Sequence, residues 1–319
     1  MRTINTCPLC GSIDLRDVFT ARDPHYGIPG EYRIVRCAAC RLQFVNPMPS
    51  DAELASLYPN DYYAYSGAPK ASPWKLRTKR LLGYWQGIKE PRFEKPGRFL
   101  DIGCGSGDFV ARMAQRGWDS HGVEINQQAA LNGRLRGLRI SAGTLQDASL
   151  AAEYFDYIRA SHSFEHVTRP HETLDEIHRL LKPTGQLLLA VPNVDGLPAR
   201  LFKRYWWHLC PPVHPFGYSL GTLTRLLGQH GFRVTRVVFN SDYVGLLGSL
   251  QIWLNRHNGK KSFEGPVFRN RALRVLCGWA EKLCDQVRLG DMIEVHARKA
   301  PSAHCDTSSH NSSEMSSVA

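Results

Sequence analysis

The sequence predicts an α/β protein in which a parallel sheet carries helices on both faces, preceded by a small cysteine-bearing module. From Arg98 onward, short apolar segments alternate with amphipathic ones, which is typical of a doubly wound sheet. Two Cys-x2-Cys pairs lie ahead of this pattern, near the N-terminus. The length of 319 residues, at about 150 residues per domain, suggests about two domains.

Apolar periodicity and helix-boundary residues give the elements of the larger domain in order. The predicted strands span 98–102, 119–125, 138–142, 155–160, 186–191 and 232–239. The predicted helices span 108–116, ended by Gly117, 126–136, ended by Gly137, 171–181, ended by Pro183, and 219–230. Residues 292–298 alternate between apolar and polar, which predicts a half-exposed edge strand.

Changes in composition divide the chain into four parts. These are an N-terminal module (1–49), a connecting arm (50–97) with helix around 74–85, an α/β domain (98–299) and a serine-rich tail predicted to be disordered (300–319). The arm begins with a short helix at 50–58, for which Ser50 and Glu53 form a capping box. Two segments interrupt the α/β pattern: the first insertion, about 193–218, and the second insertion, about 241–289.

The net charge of +11 favours anionic partners, namely phosphates, nucleic acid or acidic lipid, without choosing among them. The ordinary proportions of apolar and charged residues exclude a collagen-like, coiled-coil or wholly disordered chain. A phosphate-bearing substrate, an anionic membrane or simple solvation would each account for the two basic clusters, Lys75/Arg77/Lys79/Arg80 and Lys260/Lys261/Arg269/Arg271/Arg274.

The N-terminus has no apolar core of a signal peptide, and no segment approaches the ~18 apolar residues of a membrane span. We therefore expect a cytoplasmic protein, in which thiols stay reduced. Under reducing conditions, the pairs Cys7/Cys10 and Cys37/Cys40 predict one zinc site. Four thiolates leave no open coordination position, so this zinc is expected to be structural. A surface cysteine cluster or a redox pair is the plainer alternative.

Residues 99–108 read Phe-Leu-Asp-Ile-Gly-Cys-Gly-Ser-Gly-Asp, at a strand-to-helix junction. Gly103, Gly105 and Gly107 allow backbone amides to approach a ligand at the helix N-terminus. Glu124 ends the next strand, where a carboxylate can accept hydrogen bonds from both hydroxyls of a ribose. The arrangement predicts a cofactor that contains adenosine.

Two aspartates indicate which adenosine cofactor fits. Asp108 stands where the dinucleotide fingerprint has its third glycine. Asp101, two residues before the first glycine, would repel a pyrophosphate and suit the ammonium group of a methionine moiety. The balance favours S-adenosylmethionine over NAD.

With these features in place, the chain resembles the class I S-adenosylmethionine-dependent methyltransferases over about 98–240, and most of all the bacterial ubiquinone-type group. The N-terminal cysteine pairs, with Phe44-Val-Asn-Pro-Met-Pro49, resemble a zinc-ribbon subgroup associated with sugar, surface-polysaccharide or secondary-metabolite pathways. The motifs that carry the resemblance are Leu100-Asp-Ile-Gly-Cys-Gly-Ser-Gly107, Val123-Glu124, Phe155-Asp-Tyr-Ile158, Glu165-His166-Val167 and Arg179-Leu-Leu-Lys-Pro-Thr-Gly185.

The resemblance implies a Rossmann-like, seven-stranded sheet whose last strand, at 292–298, is antiparallel. It also implies roles for individual residues around the cofactor. These are Asp101, Gly103, Gly105 and Gly107 at the methionine end, Glu124 at the ribose, Thr144 and Leu145 beside the adenine, and Ser161 and His162 near the sulfonium.

Methyl transfer to oxygen or carbon often needs a base that removes a proton. Imidazole titrates near neutrality, so the candidates are His162, His166, His208 and His214, together with Tyr205 and Tyr218. Each histidine has a purely structural hydrogen-bonding role as its alternative. The resemblance also allows Glu165 and His166 to hold a divalent ion. The aromatic segment 205–214 is expected either to cover the substrate pocket or to pack as a core loop.

We therefore expect an S-adenosylmethionine-dependent methyltransferase acting on a small molecule or a glycan precursor, by O- or C-methylation. An RNA methyltransferase that binds nucleic acid through the zinc module and basic surface is the alternative. Against it, no Asn/Asp-Pro-Pro-Tyr/Phe motif follows the fourth strand. A non-catalytic zinc module that recruits partners is a third hypothesis, which the intact glycine turn and Glu124 disfavour.

Overall fold

The structure is a computed structural model that describes residues 1–57 and 90–301. Its strands are β1 (Leu15–Ala21), β2 (Tyr32–Cys37), β3 (Gln43–Val45), β4 (Arg98–Ile102), β5 (Asp119–Glu124), β6 (Arg139–Ala142), β7 (Phe155–Ser161), β8 (Leu181–Pro192), β9 (Phe216–Gly217), β10 (Phe232–Phe239) and β11 (Met292–Lys299). Its helices are α1 (Asp51–Leu57), α2 (Asp108–Gln115), α3 (Gln127–Leu135), α4 (Pro170–Leu180), α5 (Leu197–Phe202), α6 (Leu220–Gln229), α7 (Val244–Asn255), α8 (Pro266–Arg269) and α9 (Arg271–Gln286).

Several sequence predictions lie outside the described residues. They are the helix around 74–85, the cations Lys75, Arg77, Lys79 and Arg80, and the predicted tail beyond 301. The capping box at the start of α1 is present: Ser50 N donates to Glu53 Oε2 at 2.8 Å, and Glu53 N donates to Ser50 Oγ at 3.3 Å. None of the helices in the described part of the chain has the length and apolarity that a bilayer crossing requires.

The central sheet has seven strands in the order β10-β11-β8-β7-β4-β5-β6. Strands β8, β7, β4, β5 and β6 pair in parallel, whereas β11 is antiparallel to both β8 and β10. All predicted strands are present, and the Rossmann-like α/β fold with an antiparallel last strand is confirmed.

Helices cover both faces of this sheet because successive residues of a strand point to opposite sides. Leu100 of β4 packs in one core with Leu174 and Ile177 of α4, all three fully buried. The preceding residue, Phe99, packs on the other face of the sheet, where its ring lies edge-on to that of Trp118. The two cores hold the carboxyl ends of the parallel strands in a fixed relation to one another.

The predicted edge position of 292–298 is wrong. Strand β11 lies between β10 and β8, and six of its eight residues are buried. Its polar residues are buried too: Glu294 is 2% exposed and accepts from Asn240 Nδ2 at 2.5 Å, and His296 is 3% exposed. Alternation of apolar and polar residues cannot tell a solvent-facing side from a side whose polar groups are buried.

The N-terminal module shares a sheet with the first insertion. Strands β1, β2, β3 and β9 form a four-stranded sheet, and β9 pairs antiparallel with β3 through Phe44↔Phe216 and Gln43↔Gly217. Phe44 and Phe216 belong to the same apolar core as β4 and α4. The module therefore packs as a continuation of the α/β core.

Both insertions and the module meet at Trp207. His25, from the module, hydrogen-bonds the Trp207 carbonyl through Nε2 at 2.8 Å and Ser262 Oγ through Nδ1 at 2.7 Å. Trp207 N donates to Ser249 Oγ at 2.9 Å. A Cβ on Gly248 would lie 2.2 Å from the Trp207 ring, so only glycine fits at that point of α7. Three segments that are distant in sequence thus contact one residue, Trp207.

His296 provides a test of the buried position of β11. Burial, followed by the charge of Arg236, lowers its pKa from 6.5 to about 4. The folded state therefore stays neutral at pH values where the unfolded chain binds a proton, so stability is lost as pH falls from 6.5 to 4. Between about pH 6.5 and about pH 4.5, the unfolding free energy of the wild type should therefore fall by roughly 2 kcal/mol more than that of the His296→Gln variant, which has no imidazole to protonate.

Urea denaturation at several pH values measures this difference. His257→Gln, at an exposed histidine after α7, is the matched control and should follow the wild type. If the unfolding free energies of wild type and His296→Gln changed equally with pH, His296 would not be a buried neutral histidine.

Candidate active site

The glycine turn, residues 103–107, joins β4 to α2 through left-handed backbone. Gly103, Gly105 and Gly107 have φ angles of +70°, +55° and +83°. A Cβ on Gly103 would lie 2.4 Å from Ser163 Cβ, and one on Gly107 would lie 2.6 Å from Leu138 Cδ1. Glycine is therefore required here both for conformation and for close packing.

Glu124, at the end of β5, holds the middle of this turn. Its carboxylate is 6% exposed and accepts from Gly105 N through Oε2 and from Asn126 N through Oε1, each at 2.8 Å. Burial raises the pKa of Glu124, while these two N–H groups favour its charged form. Each carboxylate oxygen has two acceptor sites, so both can still accept from a ligand hydroxyl.

Asp101 already has a counter-ion within the chain. The carboxylate is 2% exposed, and Arg159 Nη1 on the neighbouring strand β7 lies 2.8 Å from its Oδ1. The Arg159 guanidinium is also stacked 4.0 Å above the ring of Phe109 in α2, and its Nε is 3.6 Å from Glu90 Oε1. The expected contact of Asp101 with a methionine ammonium would therefore share this carboxylate with Arg159.

Sequence reasoning did not identify Arg159. The available signal was a cation in the mostly apolar stretch 157–160 of the predicted strand. A cation in a buried strand requires a partner, because an unpaired buried charge is strongly unfavourable.

Thr144 and Leu145 lie in the loop after β6, beside the end of β5. Gly143 N donates to the Glu124 carbonyl at 2.9 Å, which fastens this loop to the site. The Thr144 hydroxyl donates to Asp147 Oδ2 at 2.7 Å, and Leu145 is 4% exposed in the main core. The structure places both residues at the edge of the sheet that carries Glu124, and the Leu145 side chain packs into the core beneath the loop.

The loop after β7 contacts the glycine turn directly. Ser163 Oγ donates to the Ile102 carbonyl at 2.7 Å, and His162 N donates to the Ala190 carbonyl of β8 at 2.9 Å. Ser161 is the last residue of β7 and pairs with Ala190. The loop thus lies across the carboxyl ends of β4 and β8, the edge at which parallel sheets bind ligands. His162 has a φ of +55°, which is uncommon for a residue with a side chain.

This loop and the first insertion assemble a histidine cluster, which we define as His162, Glu165, His166, His208 and His214. The rings of His166 and His214 lie edge-to-face with centroids 4.5 Å apart. His162 Nδ1 is 3.9 Å from Glu165 Oε1. The four histidines predicted from the sequence are therefore in one place, although His208 and His214 come from a segment about forty to fifty residues beyond His166.

Hydrogen bonds set the tautomers of two of these histidines. His166 Nδ1 is 2.8 Å from the Val213 carbonyl, and His214 Nδ1 is 2.8 Å from the His208 carbonyl. A carbonyl only accepts, so in the neutral rings Nδ1 carries the proton and Nε2 carries the lone pair. Burial lowers the pKa of His166 to about 4 and that of His214 well below its usual range.

Glu165 is the carboxylic acid at the centre of the cluster. It is 2% exposed, and its Oε2 has no hydrogen-bond partner among the described residues. Burial raises its pKa to about 8. The Tyr218 hydroxyl, equally buried, also lacks a partner within the described chain. Two unsatisfied buried polar groups beside the same loop indicate a place where a ligand supplies the missing hydrogen bonds.

His208 is the one histidine of the cluster whose pKa rises. Burial opposes its protonation, but Asp291, with Oδ2 3.1 Å from His208 Nε2, outweighs that effect. Trp206 Nε1 donates to Asp291 Oδ1 at 2.6 Å. The segment 205–214 packs as a core loop at Trp206, which is 3% exposed, and it also brings His208 and His214 to the cluster.

A cavity lies between the module's sheet and the first insertion. Its wall contains apolar side chains with two histidines of the cluster, and its lining includes Phe44, Leu209, Phe216, His208 and His214. The module therefore contributes directly to the surroundings of the histidine cluster.

Within the described residues, two groups of side chains are close enough to share a metal ion. The ligand atoms of Glu165, His166 and His214 all lie within 4.8 Å of one another. The second group consists of the four cysteines of the module, Cys7, Cys10, Cys37 and Cys40.

The four cysteines have the geometry of two matched knuckles. Cys7 Sγ is 3.4 Å from Cys40 Sγ, and Cys10 Sγ is 3.6 Å from Cys37 Sγ. A tetrahedral zinc with Zn–S distances of about 2.3 Å places its sulfurs about 3.8 Å apart, close to this spacing.

The two turns also share their backbone pattern. Gly11 N donates to the Cys7 carbonyl and Arg41 N to the Cys37 carbonyl, each at 2.9 Å. Gly11 and Arg41 both have positive φ, +73° and +67°. Arg41 takes the conformation that favours glycine, so the unusual residue at this position does not prevent the second knuckle from forming.

A family model described as a methyltransferase domain matches residues 73–237. The chain is 32% identical over 103 residues to the ubiquinone biosynthesis O-methyltransferase of Pseudomonas aeruginosa (strain UCBPP-PA14), a match that covers 30% of this chain and 44% of that protein. It is 25% identical over 156 residues to the demethylmenaquinone methyltransferase of Listeria welshimeri, covering 45% and 62% of the two chains. These curated relatives are thus matched over roughly half of their length.

Among solved structures, an S-adenosylmethionine-dependent methyltransferase from Archaeoglobus fulgidus aligns with 74% of this chain and 96% of its own, with a TM-score of 0.45 and 22% identity. The family model covers more than half of the 319 residues, and its range includes the glycine turn, Glu124 and the loop that carries Glu165 and His166. On that basis the protein belongs to the methyltransferase-domain family.

Proposed function

We propose that the protein transfers a methyl group from S-adenosylmethionine to a small molecule. The observation that carries this proposal is the carboxylate of Glu124, which the N–H groups of Gly105 and Asn126 hold beside the glycine turn. Its remaining acceptor sites suit the two hydroxyls of a ribose. Membership of the methyltransferase-domain family supports the same reaction.

The residues present fit the donor. The proposed contacts are Glu124 with the ribose, the glycine turn and Asp101 with the methionine end, the loop of Thr144 and Leu145 with the adenine, and Ser161 near the sulfonium. When bound, S-adenosylmethionine supplies an electrophilic methyl group. The chain's own part is to align an acceptor with that methyl group, to exclude water and to take up the acceptor's proton.

The proposed acceptor is a small molecule with a flat or sugar ring, methylated on oxygen or carbon. Two relatives carry names that refer to ubiquinone and demethylmenaquinone, which supports a small-molecule acceptor. A glycan precursor with a phosphate fits the same description, given the basic surface.

A labelled-methyl assay tests the acceptor class. Purified protein and labelled S-adenosylmethionine are incubated with cell extract that has been separated into soluble metabolites, lipid-linked glycans and RNA. Label in either of the first two fractions supports the proposal. Label confined to RNA would replace it with the nucleic-acid alternative, and no transfer to any fraction would contradict the proposed activity.

We expect the Glu124→Gln variant to bind S-adenosylmethionine about 10- to 100-fold more weakly than the wild type, as isothermal titration calorimetry measures. A glutamine turns one acceptor oxygen into an NH2 group, which then faces the N–H of Gly105 or Asn126. The matched control is Glu153→Gln, at an exposed glutamate just before the amino end of β7. Unchanged affinity in Glu124→Gln would contradict the assigned site.

The histidine cluster is the proposed acceptor of the substrate's proton. His166 and His214 have Nδ1 committed to carbonyls and so present Nε2 as the basic atom. Glu165 adds a buried carboxyl oxygen that has no partner within the described chain. Because it lies 3.9 Å from His162, on the loop that contacts the glycine turn, we propose Glu165 as the central residue of this proton path.

Above about pH 8, where the Glu165 carboxyl is ionised, the Glu165→Gln variant should transfer methyl groups at least about 100-fold more slowly, because an amide cannot take up the proton. Its affinity for S-adenosylmethionine should equal that of the wild type by calorimetry. Glu172→Gln, an exposed glutamate on α4, is the matched control. Loss of wild-type activity in a chelator that magnesium or manganese restores and zinc does not would instead assign Glu165, His166 and His214 to a metal distinct from the ion of the cysteine site.

We also propose that Cys7, Cys10, Cys37 and Cys40 bind one zinc ion with a structural role. The two matched turns and the sulfur spacing support this proposal. Because β9 pairs with β3, loss of the ion is expected to loosen the first insertion together with the module.

Chelation of zinc should therefore raise amide hydrogen exchange in residues 1–49 and at 216–218, and leave β4, β5 and β7 protected. Metal analysis should find one zinc per chain in the wild type and less in Cys10→Ser, with Cys277→Ser in α9 as the control. A protein that contains no zinc and in which all four thiols react at once with an alkylating reagent would contradict the proposal.

A further inference from the structure

Helix α9 turns its apolar side to solvent. Leu276, Trp279 and Leu283 are 65%, 57% and 63% exposed, and Val287, just after the helix, is 65% exposed. Spacings of three and four residues place these side chains on one face. Single exposed apolar residues are ordinary, but an aligned row of four marks a surface that interacts with something.

Polar contacts on the opposite side fix this orientation. Glu281 is fully buried and accepts from Leu246 N at 2.9 Å. Asp285 accepts from Ser241 Oγ at 2.7 Å, and Lys282 Nζ donates to the Ser241 carbonyl at 2.7 Å. A half-turn of the helix would bury the apolar row only by breaking these bonds and exposing their buried partners. The outward apolar face therefore belongs to the folded state.

Exposed cations outnumber exposed acids in the segment that carries this face. Arg271 starts the helix and Arg288 follows it, both exposed. In 244–289 one acidic side chain, Glu264, is exposed, because Glu281 and Asp285 point inward. The exposed cations of this segment are Arg256, Lys260, Lys261, Arg269, Arg271 and Arg288.

We propose that α9 docks on the surface of a membrane that contains anionic lipids. Leucine and tryptophan on one helix face, with arginine at both ends of the helix, are features of a helix that lies in the plane of the interface. The cations would contact lipid phosphates, and Trp279 would lie at the level of the headgroups. This inference does not depend on which molecule is methylated.

Charge decides between a membrane and a second copy of the chain. A two-fold contact through α9 would bring the same set of cations from both copies together, with Glu264 as the one exposed acid of the segment to offset them. An anionic lipid surface instead supplies the opposite charge over the whole area of the face.

Sedimentation with vesicles tests the proposal on the full chain. We expect binding to phosphatidylcholine vesicles that contain phosphatidylglycerol, about tenfold weaker binding to phosphatidylcholine alone, and a decrease as salt is added. Leu283→Glu should reduce binding to the anionic vesicles by at least about tenfold. Leu135→Glu, at a leucine 78% exposed at the end of α3, is the matched control and should bind as the wild type does.

A second variant tests the charges without changing the apolar row. Arg271→Gln combined with Arg288→Gln should weaken binding to anionic vesicles and flatten its salt dependence, with an unchanged melting temperature. Wild-type binding by Leu283→Glu, or no binding by the wild type, would overturn the proposal. So would a wild-type dimer in solution that Leu283→Glu converts to a monomer, because α9 would then be covered by a second copy.

Discussion

The contact of Ser163 with the end of β4 is the constraint on which the candidate site depends. Its Cβ fills the space that a side chain at Gly103 would need, and its hydroxyl donates to the Ile102 carbonyl. One residue thus fixes the distance between the turn proposed to hold the methyl donor and the loop that carries His162 and Glu165. In a reaction that depends on alignment, that distance sets how well acceptor and donor can meet.

The N-terminal module is tied to the same site by a different route. Strand β9 has only two residues, yet it joins the module's sheet to the first insertion and leads to Tyr218 and the cavity beside His214. A module of this size buries little apolar surface alone. Its core is completed by residues of the α/β domain, and because Cys7 and Cys37 belong to that shared core, a metal held by the four cysteines would reinforce the junction between module and domain.

The α/β domain could be predicted from the sequence because its strands and helices are local patterns with clear ends. The glycine turn and Glu124 could be found for the same reason. Pairings between distant residues could not: the bond of Asp101 with Arg159, the meeting of His166 with His214, and the partner of β3 all depend on the tertiary fold. In β11 and α9 apolar and polar residues lie on opposite sides, but the sequence does not say which side is buried. Glu294 in β11 and Glu281 in α9 are buried acids, although acids usually face solvent.

Trp207 connects three segments that the chain order keeps apart, through His25 of the module, Ser249 in α7 and the close approach of Gly248. The consequence concerns how such a protein can be redesigned. The module and the two insertions form one interlocking block, so an exchange of acceptor preference with a related enzyme requires all three to be transplanted together. A chimera that takes one of them alone would leave the indole facing a surface shaped for another neighbour.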